Sequence, residues 1–263
     1  MCQAGYSPGV PLERSYPRLG ILAKLAVVVS LILIGSLLVF VFFGNDILRK
    51  VEDSQPSTCY GKVSKGGLMN GKRLPTRGPN YIAYSYLGAA LGRNCVHSTV
   101  REVIIEAYNN LHTLYPDKTF VYGETGWPRG GRFRPHITHQ NGLSVDFMVP
   151  VLDNSGTSIP LPCNIFTKWG YAFEFDKRGR AGDLKIDFAG MAAHLYCLQQ
   201  AARRKGIGIR LVIFAPDLQP HVLRTPYGKD LTASIRFSRT PAKFRHDDHY
   251  HVDFAVHCKP LRH

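Results

Sequence analysis

Of the 11 histidines in the chain, five stand in two short stretches. His136 and His139 belong to Pro135-His136-Ile137-Thr138-His139-Gln140-Asn141-Gly142-Leu143-Ser144-Val145-Asp146. His246, His249 and His251 belong to His246-Asp247-Asp248-His249-Tyr250-His251-Val252-Asp253-Phe254. Zinc takes neutral imidazoles with or without a carboxylate, and a catalytic zinc has three protein ligands and a fourth position for water. His139, Asp146 and His251 offer such a set, and the chemistry it supports is hydrolysis by activated water. In a strand, residues i and i+2 share a face. His249 and His251 therefore point together, Asp253 follows them, and His246 stands where the strand begins. Parity alone does not order His249 and His251 as ligand and proton carrier. A single histidine is usually a hydrogen-bonded core or surface group, and His112, His194 and His221 are read that way. The two clusters differ because they adjoin the apolar residues Val145, Phe147, Val252 and Phe254, where polar groups need partners.

The elements that must hold these residues are legible from periodicity. Residues 143–149 read as a strand carrying Asp146, and 248–256 as a strand carrying the second histidine stretch. Residues 119–122 form a short strand leading into Gly123-Glu124-Thr125-Gly126-Trp127-Pro128-Arg129-Gly130-Gly131, the loop that delivers the first stretch. A helix is expected after Thr99, with Thr99-x-x-Glu102 as a capping box and Val100, Val103, Ile104, Ala107 and Leu111 as its apolar stripe. Pro116 ends it. A second helix spans 187–204, with Gly206 placed to stop it, and 207–215 is a further strand. Residues 216–245 are basic and weakly periodic, so long loops are expected there. The sum is an α+β domain with a small central antiparallel sheet, flanking helices and long loops.

Ahead of this domain, Leu25 to Phe43 runs for nineteen residues without a charge. Extended back to Ile21, it is long enough for a bilayer of ~30 Å hydrocarbon thickness. No small-x-small exit follows, so it reads as an uncleaved anchor rather than a removable signal. Arg14, Arg18 and Lys24 precede it, which keeps the N-terminus in the cytoplasm and sends the rest outward. The expected division is a cytoplasmic tail at 1–20, a transmembrane anchor at 21–43, a tether at 44–78 and the domain at 79–263. Lys+Arg number 33 against 19 Asp+Glu, a formal net charge of +14 that attracts polyanions. Neither zinc-finger spacing nor an aromatic RNA-binding motif is present, so nucleic acid is not an expected partner. None of the six cysteines forms a C-x-x-C pair, which argues against a cysteine zinc site. Oligomeric state carries no sequence signal.

Pro128-Arg129-Gly130-Gly131, His136-x-x-His139-Gln140-x-Gly142-Leu143-x-Val145-Asp146 and His246-x-x-His249-x-His251-Val252 resemble the penicillin-insensitive murein endopeptidases. That family sits within a wider group of zinc peptidases that includes lysostaphin, the D-alanyl-D-alanine peptidases and the hedgehog fold. The likeness spans roughly residues 60–260. It implies Zn2+ held by His139, Asp146 and His251, with His249 and His246 as the catalytic histidines. His136, Arg129 and Asp253 are the remaining candidates, for orienting a ligand or touching substrate, and a plain loop role for His136 stays open. The implied substrate is the stem-peptide bridge of peptidoglycan, cut at the D-alanyl–diaminopimelyl bond by an enzyme of the inner membrane facing the periplasm. Two alternatives stand beside this: a carboxypeptidase or amidase of the same fold, and an inactive wall-binding module. The carboxypeptidase branch carries a glutamate a few residues before its last zinc histidine, and here that region holds His246 and His249 instead. Of the disulfides the resemblance implies, Cys59 with Cys258 is the one pairing that can be placed.

Overall fold

The computed structural model describes residues 20–239 and 245–261. Helix α1, Ile21–Lys50, is long and apolar enough to cross a membrane. The chain divides after Val39, and the residues from Phe40 onward form a second compact unit.

Within that second unit, the polar end of α1 is part of the domain. Asn45 is buried; its amide donates to the Leu74 carbonyl at 3.0 Å, and its carbonyl oxygen accepts from Asn94 at 2.9 Å. The Thr76 hydroxyl donates to Asp46 at 3.1 Å, and Arg101 donates to Glu52 at 2.7 Å. The tether expected at 44–78 is therefore replaced by structure. Strands β1, Thr58–Lys62, and β2, Lys65–Met69, form an antiparallel hairpin, Lys72–Arg73 pairs with Cys95–Val96, and Leu68 and Leu74 lie in the core. Strands this short and glycine-rich leave too little alternation to be read from sequence. The implied disulfide is formed: Cys59 on β1 is bonded to Cys258, while Cys95, Cys163 and Cys197 are free thiols.

The elements that follow build the core. They are β3 at Tyr81–Ala83, α2 at Ser98–Leu114, β4 at Phe120–Tyr122, β5 at Ser144–Met148, α3 at Phe188–Arg204, β6 at Gly208–Ile213 and β7 at His249–Ala255. The central sheet has the order β6-β7-β5-β4-β3 and is antiparallel except for the β3–β4 pair, which is parallel. Helix α2 buries the expected stripe plus Tyr108, but its cap is His97, whose Nδ1 accepts from the Thr99 amide at 3.2 Å. Asp187 caps α3 by accepting from the Gly190 amide at 2.9 Å.

Residues 216–245, expected to be loops, contain the short helices Gln219–Leu223 and Gly228–Ser234, held by buried Val222 and Leu231. Helices of this length show no periodicity to detect. Residues 240–244 lie outside the described residues.

Strand alternation divides the sheet into two faces with different tasks. Val145, Phe147, Tyr250, Val252 and Phe254 face the helices and are fully buried. Tyr108 of α2 meets Phe147 edge-on at 6.3 Å, and His194 of α3 shares a 2.5 Å hydrogen bond with the Tyr250 hydroxyl. Burial holds His194 neutral, with its pKa lowered to about 3, so it is the core residue expected. Asp146, His249, His251 and Asp253 occupy the opposite face.

Candidate metal centre

Strand register makes the site. In the β7–β5 ladder His251 stands directly opposite Asp146, His249 opposite Met148 and Asp253 opposite Ser144. Two histidines and two carboxylates that are distant in sequence thus share one small patch of sheet. Asp146 is bracketed by the adjoining loop: its amide donates to the Glu124 carbonyl at 2.9 Å, and its carbonyl accepts from the Gly123 amide at 2.7 Å. A Cβ at Gly123 would stand 2.6 Å from the Tyr171 hydroxyl, so only glycine permits this close approach.

His139 arrives on the loop before β5, in the left-handed backbone region at φ 68°. A histidine held there is a local cost that the surrounding structure must impose. Its Nδ1 donates to the Thr125 carbonyl at 2.9 Å, which leaves Nε2 as the lone-pair atom. That Nε2 is buried without a hydrogen-bond partner and lies 3.3 Å from Asp146 Oδ1. Burial also lowers the His139 pKa, against the pull of Asp146, so the ring is neutral. A buried lone pair facing a carboxylate oxygen at this distance is an arrangement that could hold a cation.

His136 follows the same logic. Its Nε2 donates to Glu124 at 2.7 Å, leaving Nδ1 turned toward Asp146 Oδ2 at 3.7 Å. Glu124 is itself held by the Tyr84 hydroxyl at 2.9 Å and by Arg93. Burial works against its charge, but His136 and Arg93 outweigh it and hold its pKa below the usual carboxylate value. The ligand atoms of His136, His139 and Asp146 lie within 4.8 Å of one another, and together they could hold a metal ion. His251 adds its Nδ1 at 2.9 Å from Asp146 Oδ1, while its Nε2 donates to Asp253 at 3.0 Å.

His249 is held differently. Its Nδ1 donates to Asp248 at 2.5 Å, which turns Nε2 toward the site, 3.9 Å from Asp146 Oδ2. Burial opposes its protonation, yet Asp146 and Asp248 raise its pKa above 6.5. The His246 ring lies 4.6 Å from that of His249, on a residue at φ 54°. The Tyr171 hydroxyl accepts from the Glu124 amide at 2.9 Å and donates to Asp146 Oδ2 at 3.1 Å. Its own pKa is pushed well above 10 by burial and by the charges of Asp146 and Glu124. A cleft of about 940 Å³ opens on this group, lined by His136, Tyr171, His246, His249 and His251 together with apolar side chains.

Residues 59–159 match the penicillin-insensitive murein endopeptidase family. The family likeness carried by the sequence motifs is thus found independently over that stretch. The murein endopeptidase match takes in Glu124, His136, His139 and Asp146, while His246, His249 and His251 lie beyond it. No curated protein matches the chain.

Of the residues singled out in the sequence, the fold brings His136, His139, Asp146, His246, His249, His251 and Asp253 together. Arg129 is exposed on a turn and does not line the cleft; its contribution is a carbonyl that accepts from the Leu68 amide at 3.0 Å. Three participants escaped the sequence reading. Asp248 precedes His249, and adjacent residues within a strand point apart; here Asp248 lies just before β7 begins, so that rule does not bind it. Glu124 was visible only as part of a loop. Tyr171 sits in an aperiodic segment that carries no signal.

Proposed function

We propose that this chain is a zinc-dependent endopeptidase that cuts the peptide cross-links of peptidoglycan. The observation that carries the reading is the buried, unpartnered Nε2 of His139 facing Asp146, with the ligand atoms of His136 and His251 directed at the same carboxylate. The family match over residues 59–159 supports the substrate class.

His139, Asp146 and His251 would hold the metal, and the donor set of imidazole and one carboxylate is the one zinc favours. Nδ1 of His136 is within reach of the same position. When bound, the metal supplies Lewis-acid polarisation of the scissile carbonyl and a water acidic enough to attack near neutral pH. His249, oriented by Asp248, takes the proton from the attacking water at Nε2 and returns it to the leaving amine. His246 steadies the charge that develops on the carbonyl oxygen. Tyr171 and Glu124 fix Asp146 and His136 from behind, so the groups are set before substrate arrives.

The apolar α1 supports an anchor in the inner membrane, with the domain in the periplasm where its substrate lies. The test is metal analysis of the purified full-length protein alongside digestion of cross-linked and uncross-linked muropeptides. One bound zinc with cleavage of the cross-linked species is expected. Cleavage confined to uncross-linked stem peptides would make it a carboxypeptidase instead. A zinc-loaded protein that cuts neither would leave a wall-binding module.

A further inference from the structure

The mouth of the cleft is apolar beyond what hydrolysis of a polar peptide requires. Leu87, Leu91, Ile137 and Trp169 line it, with exposures of 41, 53, 68 and 40%. On the turn that carries Trp169, Phe166 stands out at 93% exposed. Apolar groups exposed together in this way mark an interaction site.

Two features bear on what the rim could meet. Leu87 follows Tyr86, whose ring lies 5.8 Å from that of Phe42, and Phe42 belongs to the end of the apolar run that closes with Phe43. The apolar rim is thus continuous with the last residues of a segment built for lipid. Cations are interleaved with it: Lys168 lines the same mouth, and exposed Arg77 donates to the Tyr86 hydroxyl at 2.6 Å. Apolar and aromatic side chains flanked by Lys and Arg are the composition that settles at a lipid–water boundary. The formal charge of +14 adds attraction to anionic headgroups.

We propose that this rim docks on the bilayer surface. Leu87, Leu91, Ile137 and Phe166 enter the boundary between headgroups and acyl chains, and Lys168 and Arg77 meet lipid phosphates. The cleft then takes peptides presented at the lipid surface. This rests on α1 being a membrane span and not on the catalytic assignment.

The chain has two tryptophans, Trp127 and Trp169, which makes the test direct. Trp127 does not line the cleft; its ring packs against Phe133 at 5.4 Å and under Arg93. The full-length variants Trp127→Phe and Trp169→Phe are reconstituted into vesicles of phosphatidylcholine and phosphatidylglycerol, with and without brominated acyl chains. Brominated lipid should quench Trp169 emission and leave Trp127 unchanged. Adding Leu87→Glu and Phe166→Glu to the Trp127→Phe protein should restore the lost emission. Equal quenching of the two tryptophans, or none at Trp169, overturns the proposal. Protein that fails to float with the vesicles overturns the anchor reading and this one with it. Protein that floats without quenching overturns this one alone.

Discussion

Asp253 accepts a hydrogen bond from Nε2 of His251 at 3.0 Å, two residues further along the same strand face. The bond fixes one His251 proton on Nε2 and turns Nδ1 toward Asp146, where a metal would have to displace the second proton. Asp253 is in turn held by the Ser144 hydroxyl and by Arg210, each at 2.5 Å. Partners that orient a metal-binding histidine are typically worth ~10–100-fold in metal affinity. Asp253→Ala should therefore bind zinc more weakly by about that factor while keeping its far-UV spectrum, and Asp253→Asn, which can still accept, should lose less. A chelator-competition titration decides it, and unchanged affinity in Asp253→Ala would refute the role.

Ligand and proton carrier should separate cleanly in variants. His139→Ala, Asp146→Ala and His251→Ala should each lose zinc and activity together. His249→Ala should keep zinc and lose hydrolysis by ~10²–10⁴-fold, the usual value of a positioned base. Metal content and muropeptide cleavage are measured on the same preparations. Zinc lost from His249→Ala but kept in His251→Ala would reverse the assignment of the two.

The metal-free protein should carry a specific pH signature. Burial works against a charge on His251, but its bonds to Asp146 and Asp253 outweigh that cost and raise its pKa from 6.5 to about 10. A group with a raised folded pKa stabilises fully below its unfolded value, and that stability is lost as pH rises through the folded value. The melting temperature of the metal-free protein should fall as pH climbs from 6.5 towards about 10. Asp253→Ala should flatten the fall. Zinc competes for the same nitrogen, so its uptake should release protons, measurable as a buffer-dependent heat of binding. A melting temperature constant across that window would contradict the account.

Cys59 and Cys258 are joined across 199 positions of the sequence, and the Cys59 carbonyl accepts from the Lys259 amide at 2.9 Å beside them. Cys258→Ser should cost about 2–5 kcal/mol, the usual loss for a native disulfide. Urea unfolding reads that cost. Alkylation of the unfolded, unreduced chain should label Cys95, Cys163 and Cys197 and spare the bonded pair, and label on Cys59 without reductant would count against it.

The parts of this molecule that obey a period were legible in its sequence. The α2 stripe from Val100 to Leu111 and the alternation of Val145, Phe147, Val252 and Phe254 place a helix and a sheet, and the same parity puts His249, His251 and Asp253 on one face. What parity cannot supply is register between strands. The pairing of His251 with Asp146 is a tertiary fact, and the ligand assignment came from family likeness. Residues off the periodic elements were harder still. His97 displaced the expected Thr99 cap because its ring accepts from an amide, a task more often given to serine or aspartate. Glu124 and Tyr171 act from irregular backbone, where sequence position says nothing about direction.

The burial of Asn45 sets how far the domain can travel. A flexible segment as long as 44–78 would let its cargo wander over roughly 30 Å. No such slack exists between Phe43, where the apolar run closes, and Asn45, whose amide is already bonded to the Leu74 carbonyl. The chain that follows the apolar run is already tied into the domain by hydrogen bonds, so it supplies no leash.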